Sequence, residues 1–156
     1  MKIRRAEEKD IPRIDDLLSQ VLEIHAAIRP DLFISGTRKY TDEELKEIIN
    51  DEKTPVFAAV DEQDVLMGYA FCIMQDYSGS NNMVPNKTLY IDDLCVDKKA
   101  RGMHTGKALY EYVMAYAREQ GCHNVTLNVW EGNDSARAFY DRMGFQIQKT
   151  VLEKIL

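Results

Sequence analysis

The residues best suited to chemistry in this sequence lie in the run Asp97-Lys98-Lys99-Ala100-Arg101-Gly102-Met103-His104-Thr105-Gly106-Lys107, where two glycines and basic side chains precede a helix-like stretch. The start of a helix leaves backbone N–H groups without internal partners and carries roughly half a positive charge from the aligned peptide dipoles. A diphosphate answers both. Gly102 and Gly106 let phosphate oxygens reach the amides where a side chain would block them, and Arg101 and Lys107 add charge. A P-loop is excluded by spacing, because three residues separate the glycines and Ala108 follows Lys107. Taken alone, such a loop is equally the mark of an ordinary strand-to-helix turn.

Two further groups stand out. Asp92 and Asp93 are adjacent carboxylates inside the apolar run Leu89 to Val96. In a regular strand they point to opposite faces, so at least one is expected to be buried or to face a cleft, where an unpaired carboxylate is costly. Structural pairing with Arg or Lys is an equally good account of them. Tyr140 shares a helical stripe with Ala136, Phe139 and Met143, which on its own reads as core packing.

Positioning these groups requires a definite set of elements. Residues 2 to 5 read as a short strand, followed by a helix capped at Asp10 with Ile11, Ile14, Leu17, Leu18, Val21 and Leu22 on one stripe, ending before Pro30. Thr41 and Glu44 have capping-box spacing for a second helix that ends near Asn50. Val56 to Val60 and Val65 to Met74 form a hairpin about the turn 61–64, and the Ser-, Asn- and Gly-rich segment 78–87 is a loop. Leu89 to Val96 is a fourth strand, Thr105 to Gln120 a helix stopped by Gly121, and Val125 to Trp130 a fifth strand parallel to the fourth. Asn133 to Met143 is a last helix, and Phe145 onward is expected to be a strand. The fold class is α/β, one domain over 1–156 with a mixed sheet between helices.

Composition narrows the function. With 45% hydrophobic and 29% charged residues the chain is of ordinary globular make-up. A net charge of -6 without a Lys/Arg cluster gives no basis for nucleic-acid binding. No apolar run suits a bilayer or a signal peptide, so a cytoplasmic protein with no membrane partner is expected. Cys72, Cys95 and Cys122 form no C-x-x-C pair, and no metal site is expected.

The run Leu94 to Leu109 resembles motif A of the GCN5-related N-acetyltransferases (GNAT), whose loop reads Arg/Gln-x-x-Gly-x-Gly/Ala; Arg101, His104 and Gly106 stand at those positions. His104 replaces the usual glycine, so its side chain must swing out of the loop, and altered cofactor contacts are expected. The segment Asn133-Asp134-Ser135-Ala136-Arg137-Ala138-Phe139-Tyr140-Asp141-Arg142-Met143-Gly144-Phe145 is similar to the family's N-x-x-A-x-x-F-Y-x-x-x-G-F. The resemblance covers residues 88–147 and implies a three-layer α/β/α fold whose mostly antiparallel sheet splays at strands 4 and 5. It implies acetyl-coenzyme A as cofactor, with Leu94, Cys95 and Val96 pairing with the pantetheine arm. Gly102, Met103, His104, Thr105, Gly106 and Lys107, with Arg101, would hold the diphosphate, and Asn133, Ala136 and Tyr140 would lie beside the cofactor.

Acetyl transfer to an amine asks for a base, since an alkylammonium with a pKa near 10.4 is about three orders of magnitude from its nucleophilic form at neutral pH. Asp92 matches the place of an acid in family members acting on polyamines and is the preferred base, with Asp93 or a water chain as alternatives. Expulsion of a thiolate asks for an acid, and Tyr140 is assigned that role. Cys95 has no activating neighbour for a ping-pong route. His25, Arg29 and Phe33 fall where the family's acceptor-binding helix and loop lie, and Asn128 and Trp130 end the fifth strand at the expected cleft. The expected acceptor is the primary amine of a small molecule or peptide. The alternative is a non-catalytic acyl-coenzyme A sensor, which His104 favours. A homodimer stays open.

Overall fold

A computed structural model describes residues 1–156. In chain order the elements are β1 (Lys2–Arg5), a 3-10 turn (Glu8–Asp10), α1 (Ile11–Ile28), α2 (Asp42–Asn50), β2 (Val56–Val60), β3 (Leu66–Asp76) and β4 (Lys87–Val96). A second 3-10 turn (Lys98–Ala100), α3 (Thr105–Glu119), β5 (Asn124–Leu127) and α4 (Asp134–Arg142) complete the order. The five strands lie in the order β1-β2-β3-β4-β5. All pairings are antiparallel except β4 with β5, as expected for strands joined through the crossover helix α3. No helix is long and apolar enough to cross a membrane.

Every residue of β2 is buried, because helices cover both faces of the sheet and leave no polar side for alternation. On one face Ile14 and Leu17 of α1 and Leu45 of α2 pack against Val56, Tyr69 and Phe71. On the other, Leu109, Val113 and Ala117 of α3 pack against Phe57, Ala59, Ala70 and Leu89. Each fully buried aliphatic side chain here contributes roughly 1.5–3 kcal/mol. Tyr112 of α3 stays 37% exposed at the rim, with its ring 5.1 Å from Phe57.

Local signals act where the spacing places them. Thr41 and Glu44 close a capping box at α2. Gly121 adopts φ +73 and hands Cys122 N–H back to Ala117 O at 2.9 Å, ending α3. Asp10 stands at the start of α1 but does not cap it; its carboxylate instead accepts two bonds from Arg4, at 2.7 and 3.0 Å, and one from Glu7 N–H.

Three further expectations fail, each for a tertiary reason. The fifth strand stops at Leu127, not Trp130, because its pairing with β4 ends at Ile91↔Leu127 and the two strands part beyond it. The expected strand from Phe145 does not form, since a strand needs a ladder and no backbone partner lies beside it. Asp92 and Asp93 do not alternate across the sheet. Cys72 pairs with Ile91 and Phe71 with Asp93, so Asp92 is the extra residue of a β-bulge, which re-aims its side chain.

Candidate active site

The parting of β4 and β5 makes the site. Beyond Ile91, the β4 stretch 92–96 keeps β3 on one side through pairs such as Ala70↔Leu94 and Gly68↔Val96 but has no ladder partner on the β5 side. An extended polar chain can add itself to such an edge. Leu94 and Val96 are half-buried toward α3, while Cys95 is buried on the opposite face. Asn128 holds the fork, donating from Nδ2 to Tyr90 Oη at 3.0 Å.

At the fork's mouth lies the predicted anion loop. Ala108 N–H to His104 O, 3.0 Å, is the first bond of the α3 ladder. The backbone N–H groups of Arg101, Gly102, Met103, His104, Thr105, Gly106 and Lys107 therefore find no backbone acceptor. Gly102 sits at φ +80, the conformation glycine takes without cost. His104 sits at φ 60, ψ 18, so a non-glycine residue occupies the left-handed region, at a cost of about 1–2 kcal/mol. Beneath the loop, Thr105 is buried and its Oγ1 has no hydrogen-bond partner. A run of free amides over an unpartnered hydroxyl, flanked by Arg101, fits an anionic group such as a diphosphate. Lys107 is tied more loosely, 3.7 Å from Glu111.

Two residues that position this loop escaped the sequence reading. Asp97 accepts Lys99 N–H at 3.1 Å and is clamped by Arg13 of α1, which also donates to Leu66 O at 3.3 Å. The Lys99 amide and the Arg13 guanidinium together hold the Asp97 carboxyl below its usual range. Gly68 of β3 lies under the first turn of α3; a Cβ there would stand 2.9 Å from Cys95 O, 3.2 Å from Leu109 Cδ1 and 3.4 Å from Thr105 Cγ2. Nothing local in the sequence marks either, because both contacts join elements far apart in the chain.

The two carboxylates of β4 share surroundings. Asp93 Oδ2 accepts from Tyr69 Oη at 2.7 Å, and Asp92 Oδ2 pairs with Lys39 Nζ at 3.2 Å. Burial pushes the Asp93 carboxyl up to about 6, against the opposing pull of the Tyr69 hydroxyl and Lys39. Burial alone would lower Lys39, yet Asp92, Tyr40 and Asp93 together hold it above its usual value. Tyr140, half-buried on α4 between Phe139 (5.2 Å) and Phe145 (5.5 Å), makes no hydrogen bond through its hydroxyl in the protein. Burial raises its pKa, and the Asp93 charge acts in the same direction. Asp92, expected as the base, pairs with Lys39, and Asp93, its alternative, is the β4 carboxylate whose charge acts on Tyr140. Cys95 donates weakly to Leu17 O at 3.8 Å, and burial pushes its thiol up to about 12.

Four of the residues expected on the acceptor side, His25, Arg29, Phe33 and Trp130, come together. Phe33 lies 5.2 Å from His25 and meets Trp130 edge-on at 5.6 Å, while the Arg29 guanidinium stands 5.6 Å over the Trp130 ring. Burial, then Lys39, lowers the His25 pKa. Asn128 stays at the fork rather than in this cluster. Asn133 starts α4, its N–H bonded to Trp130 O at 3.0 Å, and its side chain makes no cap bond. Ala136 is half-buried one turn on.

The fold is a mixed sheet whose parallel strands β4 and β5 part beside an amide-lined loop at the start of α3. The model of the acetyltransferase (GNAT) family matches residues 19–145, and the chain belongs to this family. Among solved structures, a point mutant of the BH1408 protein from Bacillus halodurans is similar over 100% of this chain and 99% of that one, with 31% identity and a TM-score of 0.94. The 5-NmdU N-acetyltransferase of Pseudomonas phage PaMx11 is 43% identical over 63 residues, covering 40% of this chain and 41% of its own. The peptidyl-lysine N-acetyltransferase YjaB of Salmonella typhimurium is 29% identical over 106 residues, 67% of this chain and 60% of its own. The matches thus span less than two thirds of these relatives' lengths.

Proposed function

We propose that the protein is an N-acetyltransferase that moves the acetyl group of acetyl-coenzyme A to a primary amine by direct transfer in a ternary complex. The observation that carries this reading is the meeting, at one fork, of free amides at Arg101–Lys107, the open β4 edge, the unengaged Tyr140 hydroxyl and the raised Asp93 carboxyl.

Acetyl-coenzyme A supplies a thioester whose carbonyl carbon accepts the amine and whose thiolate departs. The residues that would hold it are the Arg101–Lys107 amides at the diphosphate, Leu94 to Val96 along the pantetheine, and Asn133 and Ala136 beside it. Asp93, ionised above about pH 6, takes the proton of the acceptor ammonium, directly or through water. Asp92 balances a cation in the same place, as it now balances Lys39. The Tyr140 hydroxyl, its pKa raised by burial, stays protonated at neutral pH and donates to the departing sulfur. The buried thiols of Cys72 and Cys95, both pushed up to about 12, stay protonated, which supports direct transfer over an acyl-cysteine route. His25, Arg29, Phe33 and Trp130 would receive the body of the acceptor, a small molecule or peptide.

A non-catalytic acyl-coenzyme A sensor is the second reading, favoured by His104 in the left-handed region of the loop. Calorimetric titration with acetyl-coenzyme A, followed by thiol release against polyamines, amino sugars, amino acids and short peptides, separates the two. The enzyme gives amine-dependent thiol release that collapses in Tyr140→Phe; the sensor gives binding without release.

A further inference from the structure

Of the chain's eleven lysines, one brings its ammonium to the carboxylates of β4. Lys39 lies between α1 and α2, and its neighbours in sequence fix where its backbone sits. Arg38 is tied to Asp15 at 2.6 Å and to Asp42 at 2.7 Å, Tyr40 stacks on Phe71 at 6.2 Å, and Thr41 caps α2. From that fixed point the Lys39 side chain crosses to the bulge of β4. Its Nζ stands 3.2 Å from Asp92 Oδ2 and 5.2 Å from the centre of the Tyr40 ring.

Asp92 follows Ile91, the last β4 residue paired with β5, so the Lys39 ammonium stands at the fork itself. Its charge acts on Asp93 and on His25 of the acceptor cluster. A carboxylate and the negative face of an aromatic ring are the partners a primary ammonium seeks. Lys39 therefore presents a primary amine of the chain where an acceptor amine would meet the same two carboxylates. The contact is not a rigid lock. The side chain is 45% exposed, and a single ammonium on a flexible four-carbon stem swings readily about a fixed backbone.

We propose that Lys39 is an acceptor built into the chain, acetylated at Nζ by its own active site when no external amine occupies it. The inference rests on the acetyltransferase reading above. The Lys39 ammonium gives one proton to Asp93, directly or through water, and the freed Nζ lone pair forms a bond to the acetyl carbonyl carbon. As the bond from that carbon to sulfur breaks, the thiolate takes the Tyr140 proton, and a second proton leaves Nζ for water. Asp93 and Tyr140 recover their starting states by exchange with water, so the products are an acetylated side chain, a free thiol and one proton. Acetylation removes the charge that holds Lys39 on Asp92, which releases Asp92 to the ammonium of an incoming acceptor. Until then Lys39 and the acceptor compete for one carboxylate.

The full chain, its mass recorded before and after incubation with acetyl-coenzyme A and no added amine, is expected to gain one acetyl group, mapped by peptide mass analysis to Lys39. One thiol is released per chain, and Lys39→Arg should release none under the same conditions. The gain should slow about 10²–10⁴-fold in Tyr140→Phe. An acetyl group already on Lys39 in the isolated wild type and absent from isolated Tyr140→Phe supports the proposal equally. Without any donor, Lys39→Gln should bind the diamine putrescine several-fold more tightly than the wild type by calorimetry, because Asp92 has lost its competing ammonium. Acetylation spread over exposed lysines such as Lys2 and Lys53, or a gain at Lys39 that is as fast in Tyr140→Phe, is uncatalysed acylation and overturns the proposal. Equal putrescine affinity in the two chains also overturns it. A wild type that releases thiol with an external amine yet leaves Lys39 unmodified overturns this inference alone; no thiol release with any amine and no acetylation overturns the acetyltransferase reading with it. If Lys39→Gln fails to fold, the mapping of the wild type against Tyr140→Phe still decides.

Discussion

Tyr69 donates its phenolic proton to Asp93 at 2.7 Å, joining adjacent strands β3 and β4 on the face covered by α1 and α2. This bond favours the ionised carboxylate, whereas burial disfavours it, and burial wins, leaving Asp93 near 6. The rate profile follows. With a cationic amine, kcat/KM should rise with pH through about 6 as Asp93 ionises. Tyr69→Phe removes the opposing bond, so the rise should move to higher pH, measurable by thiol release across a buffer series. A profile unmoved by Tyr69→Phe would take the base role from Asp93.

The same shift has a consequence for stability. The folded-state pKa of about 6 lies above the ordinary 3.8, so the share of stability tied to Asp93 is fully present below about pH 4 and is lost as pH rises through 6. Asp93→Asn, a stand-in for the protonated acid, should therefore be more stable than the wild type above pH 6, by roughly 1–3 kcal/mol, and should lose that advantage toward pH 4. Denaturant titrations at pH 4 and 8 test it, and turnover should fall in the same variant.

Tyr140→Phe keeps the ring between Phe139 and Phe145 and deletes only the proposed acid. The expected result is a fall in kcat of about 10²–10⁴-fold with acetyl-coenzyme A affinity nearly unchanged. A matching loss of affinity would assign the hydroxyl to binding.

His104 holds φ 60 at the start of α3. His104→Gly should relieve the left-handed strain and raise stability by about 0.5–1 kcal/mol, net of the added freedom of glycine when unfolded. With no side chain at this position, affinity for coenzyme A should rise several-fold by calorimetry. His104→Val should lower both, because a β-branched residue resists this conformation.

Arg13 clamps Asp97 beneath the anion loop. Arg13→Ala leaves Asp97, 9% exposed in its side chain, without that partner and should cost about 1–3 kcal/mol. It should weaken coenzyme A binding more than acceptor binding, since α1 no longer fixes the loop's entry. Arg13→Lys should restore part of the stability but less of the affinity, because a single ammonium cannot bond Leu66 O, Asp16 and Asp97 together.

Much of this protein is determined by local rules that need only the sequence. The glycines and basic residues of Arg101–Lys107 specify a helix start with free amides, the Thr41–Glu44 box specifies where α2 begins, and the apolar spacing of α1 and α3 specifies their buried faces. Caps, turns and helical periodicity act over a few residues, which is why they are legible. The tertiary structure alone decided what depends on register and on neighbours distant in the chain. The bulge that makes Asp92 the unpaired residue arises from the alignment of β3 with β4, and it separates Asp92, held by Lys39, from Asp93, held by Tyr69. The clamp of Asp97 by Arg13 and the approach of Gly68 to α3 join residues scores of positions apart. The segment after Phe145 has the alternation of a strand and still forms none, because alternation fixes which face is apolar, whereas a strand exists only where another backbone supplies its hydrogen bonds.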